Sequence, residues 1–83
     1  DLVTQVNQIL RQGHRLAIEY VDSRRFRTNS WNSYAAFEGD GPEAIAALEA
    51  CLAEHRSDYV RLVGISGSDR RRVLETIVHR PDH

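Results

Sequence analysis

Hydrophobic and polar positions change period several times along the 83 residues, and each change marks a predicted element. Leu2, Val6, Ile9 and Leu10 recur at helical spacing, and Gly13 follows where a left-handed residue ends a helix, which predicts a first helix over residues 2 to 12. Leu16, Ile18 and Tyr20 then alternate with Ala17, Glu19 and Val21, the period of two that a strand over roughly 15–21 requires. Residues 22–27 (Asp22, Ser23, Arg24, Arg25, Phe26, Arg27) carry three positive charges and no apolar period, and read as an exposed connection. A second strand is expected around 31–37, although Asn29, Ser30, Asn32 and Ser33 dilute its signal.

Gly39, Asp40 and Gly41 break the pattern, and Pro42 with Glu43 suits the first turn of a helix, where a missing N–H is tolerated and negative charge is favourable. Ile45, Leu48 and Leu52 supply the expected buried stripe of this second helix, which runs to about His55. Tyr59, Arg61, Val63 and Ile65 alternate with Val60, Leu62 and Gly64, predicting a strand over 59–65. After a turn at Ser66, Gly67, Ser68 and Asp69, the residues Val73, Leu74, Ile77 and Val78 fit either a helix or a strand buried on both faces.

A chain of this length holds one domain and one core, since domains run to about 100–150 residues. It contains no Met and begins at Asp1, so it reads as one module excised from a longer polypeptide. No apolar run approaches the ~20 residues of a membrane span, so no membrane partner is expected. The net charge of −1 conceals an uneven distribution. Residues 11–27 hold five Arg against Glu19 and Asp22; residues 38–58 hold six acids against Arg56; residues 61–80 hold five Arg against Asp69 and Glu75. All eleven basic residues are Arg, which favours planar, bidentate pairing with carboxylate or phosphate, although a GC-rich genome gives the same bias.

Catalytic and cofactor chemistry finds little footing. Cys51 and His55 stand four apart on a predicted helix and superficially suggest a thiolate with a base, but no third orienting group lies near, and a packed, inert Cys51 is the simpler reading. His14, His55, His79 and His83 lack metal-ligand spacing, and one cysteine builds neither a zinc motif nor an internal disulfide. Gly64 and Gly67 are far from a phosphate-binding fingerprint. No catalytic residue, metal or cofactor is therefore expected.

Several segments together resemble the small subunit of Rubisco: Leu16, Ala17, Ile18 and Glu19 in its first strand; Arg27, Thr28, Asn29, Ser30 and Trp31 toward its second; residues 42–54 in its acidic helix; residues 59–65 in its third strand; and Ile77, Val78, His79, Arg80 and Pro81 at its end. The resemblance implies an α+β fold, an antiparallel sheet of about four strands packed against two helices. It favours a strand in the later part of residues 69–80, with a helical turn near residues 69–72. The short Arg-rich connection stands where true small subunits have a longer channel-lining loop, and in this the chain is similar to the small-subunit-like modules of a cyanobacterial carboxysome scaffold. A related module is fused to some cyanobacterial Rubisco activases. Some members of the family carry a redox pair of cysteines; here Tyr34 stands at the first position and Cys51 alone remains.

What the resemblance implies is a noncatalytic adaptor of the carboxysome, monomeric by itself. It would dock on the Rubisco holoenzyme near adjoining large subunits without displacing small subunits. Arg24, Arg25 and Arg27 are the first candidates for that contact, against the alternative of a solvated basic turn; Arg70, Arg71 and Arg72 form a second patch whose simpler reading is solvation. Phe26 is expected to plug the core, and Tyr20, Trp31 and Tyr59 to pack in the core or on a sheet face. Two competing classes are a nucleic-acid-binding domain, opposed by the net negative charge, and a small enzyme built on Cys51 and His55.

Overall fold

The structure, a computed structural model, describes residues 1–39 and 41–81; Asp40 of the expected break and His83 lie outside the described residues. The first helix, α1 (Leu2–Arg11), starts at Asp1, whose Oδ1 accepts the Thr4 N–H at 2.9 Å. It stops in a Schellman arrangement: Gly13 N–H reaches Leu10 O at 3.0 Å, His14 N–H reaches Ile9 O at 3.4 Å, and Gly13 takes φ 81°. Strand β1 (Arg15–Val21) follows directly. A four-residue helix, α2 (Ser23–Phe26), then leads to β2 (Asn32–Phe37), and α3 (Gly41–Glu54) to β3 (Tyr59–Ile65) and β4 (Arg72–His79).

The strands form one antiparallel sheet in the order β2-β1-β3-β4. Leu16 and Ile18 of β1 join Val60 and Leu62 of β3 on one face, where Val6, Ile9 and Leu10 of α1 and Ala44, Leu48 and Cys51 of α3 close the core. Gly64 keeps this layer tight, because a Cβ there would stand 3.4 Å from both Ile9 Cγ2 and Leu74 Cβ. An irregularity between Ile18 and Glu19 leaves Tyr34 as the extra residue of β2. That bulge places Tyr34 edge-on to Tyr20 at 6.3 Å, with its hydroxyl donating to Glu54 Oε2 at 2.9 Å.

Four expectations change. Residues 22–27 are not irregular, since Asp22 caps a helical turn there. The stripe of α3 centres on Ala44, Leu48 and Cys51, with Ile45 and Leu52 half-buried beside it, because small residues let the helix approach its neighbours closely. Residues 72–79 form a strand on the sheet edge, so Val73 (49%) and Leu74 (43%) are exposed rather than doubly buried. The helical turn before it is a single one, closed by Arg70 N–H on Ser66 O at 3.0 Å, and it spans residues 66–70 rather than 69–72. Ser66 N–H donates to Arg71 O at 2.8 Å and Arg70 takes φ 58°, so the turn closes a hairpin. No described helix is long and apolar enough to cross a membrane.

Candidate partner-binding surface

Asp22 Oδ1 accepts the Arg25 N–H at 2.7 Å and its carbonyl accepts the Phe26 N–H at 2.9 Å, so one residue starts α2 with both side chain and backbone. At the other end Arg25 O accepts from Thr28 N–H at 3.1 Å, Thr28 Oγ1 at 3.0 Å and Ser30 N–H at 3.2 Å, and Asn29 turns the chain with φ 57°. This closure leaves Arg24, Arg25 and Arg27 exposed on one short projection. None of the three makes an ion pair within 4.0 Å among the described residues.

Phe26 does not enter the core. It is half-buried, its ring parallel to Tyr59 at 3.9 Å and 6°, with the Trp31 ring edge-on at 5.9 Å. Tyr59 and Trp31 are likewise half-buried on the face of the sheet away from α1 and α3, whereas Tyr20 lies on the helix side, stacked on His55 at 3.9 Å. The helix-free face would otherwise expose β1 and β3, and the aromatic shelf is part of its cover.

An ionic network adds to that cover. Glu19 and Arg61, directly paired between β1 and β3, are both buried; Arg61 Nε donates to Glu19 Oε1 at 2.8 Å, and Nη2 stands in ion-pair contact with the same oxygen at 2.7 Å. Arg72 Nη2 donates to Glu19 Oε2 at 3.1 Å and Arg72 Nη1 to Glu75 Oε2 at 2.9 Å. Hydrogen bonds that Arg72 donates to Glu19 first and then to Glu75 hold its guanidinium above its usual pKa. Arg72 is thus committed inside the domain, and the basic patch at 70–72 presents Arg70 and Arg71.

The register separates the two candidate patches. Val21, just before α2, pairs with Tyr59, while Arg15, at the other end of β1, pairs with Ile65 beside the hairpin that carries Arg70 and Arg71. The strands place these patches at opposite ends of the sheet, about 20 Å apart for seven residues at ~3.3 Å each. Two residues that the linear pattern did not single out arrive at the α2 end instead. His79 pairs with Val60, and its Nε2 lies 3.0 Å from Arg56 O, so Arg56 and Arg80 emerge beside the strand ends from which α2 springs. Nothing local in the sequence signals this; only the register of β3 and β4 does.

Cys51 is fully buried, and burial pushes its thiol up to about 11, with Glu54 and Asp58 adding to the shift. His55 is engaged with Asp58 Oδ2 at 2.9 Å and with the Tyr20 ring. The pair is structural: a protonated thiol inside the core is a poor nucleophile.

This arrangement of sheet and helices is a Rubisco small-subunit fold. It superposes on a chain of the solved structure of Rubisco from Galdieria partita with a TM-score of 0.85, covering 99% of this chain and 63% of that one at 21% identity. A family model for the ribulose bisphosphate carboxylase small chain matches residues 1–81, and the protein belongs to that family. It is 54% identical, over 94% of its length, to ribulose bisphosphate carboxylase/oxygenase activase of an Anabaena species. It is 52% identical, over 99% of its length, to carboxysome assembly protein CcmM of a Nostoc species. The chain spans 19% and 15% of the lengths of those two proteins.

Proposed function

We propose that this chain is a noncatalytic adaptor module that binds assembled Rubisco near adjoining large subunits, without displacing small subunits, and that tandem copies network Rubisco during carboxysome assembly. The observation that carries the reading is the α2 projection. Its backbone is closed by its own caps, and three guanidiniums with no ion pair among the described residues stand on it, suited to bidentate contact with carboxylates. Membership of the Rubisco small-chain family, with similarity to a Rubisco activase and to a carboxysome assembly protein, supports the choice of partner. Arg56 and Arg80 extend the basic end of the sheet, while Arg70 and Arg71 sit too far away to belong to the same contact. That separation also weighs against a nucleic-acid reading, for which a continuous basic track is wanted.

Exposed charge pairs contribute about 0.2–1 kcal/mol each and are screened by salt, so one module binds weakly. The test is binding of this chain to Rubisco that retains its full set of small subunits, at low and high salt, beside an Arg24→Asp, Arg25→Asp variant. Binding that both salt and the double substitution abolish, with small subunits retained, is the expected result. Absence of binding at low salt, or release of small subunits, would sink the reading.

A further inference from the structure

The adaptor surface stands on a helix of four residues, and a single helical turn is not stable by itself because nucleation costs more than one hydrogen bond returns. Its orientation must come from what it leans on. Phe26, the apolar residue of α2, lies between the Tyr59 face and the Trp31 edge. Trp31 is fixed in turn from two directions: its Nε1–H donates to Asn29 Oδ1 at 2.8 Å, and the Arg61 guanidinium stands 4.1 Å from its ring centroid. Arg61 cannot swing away, because Nε and Nη2 are both held by Glu19.

We propose that the buried Glu19–Arg61 pair, acting through the Trp31 indole, is the positioning element that sets the orientation of Arg24 and Arg25 toward the partner; this rests on the adaptor reading above. Arg61 itself is 9% exposed, so a partner has little of it to touch. The planar guanidinium is what the geometry uses: its Nε edge meets the carboxylate while its central carbon stands over the indole ring. Lysine can keep the charge but not both contacts.

The test uses Arg61→Lys in the 83-residue chain, with two readouts. Carbon-13 Cα chemical shifts at residues 23–26 should move toward coil values while those of β1 and β3 stay in place, and affinity for assembled Rubisco should fall about three- to tenfold. In an Arg25→Ala background the further loss caused by Arg61→Lys should shrink, since the two substitutions disable one contact. Trp31→Ala, which leaves the Glu19–Arg61 pair intact, should reproduce the shift changes and serves if Arg61→Lys does not fold. Unchanged α2 shifts in both variants, or losses that add in full with Arg25→Ala, would overturn the positioning role. If the unaltered chain does not bind Rubisco, the adaptor reading fails and the chemical shifts alone decide whether Arg61 and Trp31 orient α2.

Discussion

Cys51 shows how one side chain records its surroundings. It has no exposed surface, and its thiol is raised from an ordinary value of 9.0 to about 11, chiefly by burial. Between these two values the unfolded chain ionises while the folded one does not. The stability this site contributes is therefore intact below about pH 9 and lost as pH rises to about 11, a difference of order 2–3 kcal/mol. We expect the stability advantage of the wild type over Cys51→Ala, measured by urea unfolding, to shrink across that interval; a constant difference from pH 8 to 11 would contradict it. A packed Cys51 was expected from the sequence, where no third orienting group lies near it, and its side chain is buried. The place of Phe26 was not legible there, because the general preference of Phe for the interior says nothing of a half-buried aromatic shelf on the far side of a sheet.

At the scale of elements, α2 is the clearest case of structure without a periodic signal. One turn is too short to display a 3.6-residue period, but Asp22 three residues before Arg25 has the spacing of an N-cap. Asp22→Ala should cost about 1 kcal/mol locally and weaken Rubisco binding by about threefold to tenfold, with little change in the unfolding midpoint of the sheet. Titration calorimetry beside thermal denaturation separates the two effects, and unaltered binding would mean that the cap is irrelevant to the contact. The apolar residues of β4 illustrate the opposite problem. Val73, Leu74, Ile77 and Val78 satisfy helix and strand spacing alike, and backbone pairing with β3 decides between them. A bulge between Gly64 and Ile65 further shifts which residues face the helices, something no pattern along one strand reveals.

For the whole molecule the decisive quantity is the arrangement of charge. Arg24, Arg25, Arg27, Arg56 and Arg80 gather at one end of the sheet, and Arg70 and Arg71 lie at the other. On the adaptor reading there is one working end, so a single copy would bind without bridging. Two copies on a flexible linker make the second contact intramolecular and raise avidity by about 10² to 10⁴. Mixtures of Rubisco with the linked pair should turn turbid at low salt and clear at high salt, whereas mixtures with the single chain should stay clear. Turbidity from the single chain, removed by Arg70→Asp and Arg71→Asp, would show that the far patch also holds Rubisco.

The sequence by itself determined α1 and its glycine stop, the strands β1 and β3, the start of α3, the family resemblance and the exposed position of Arg24, Arg25 and Arg27. These follow from short-range regularities: a period, a cap, a breaker, a run of charge. Only the tertiary structure decided that Arg72 belongs to an internal network, that Glu19 and Arg61 cover the helix-free face, and that Arg56 and Arg80 join the α2 end. Each of those depends on partners that sheet register brings together; Glu19 lies 42 residues from Arg61 and 53 from Arg72, beyond the reach of any local pattern.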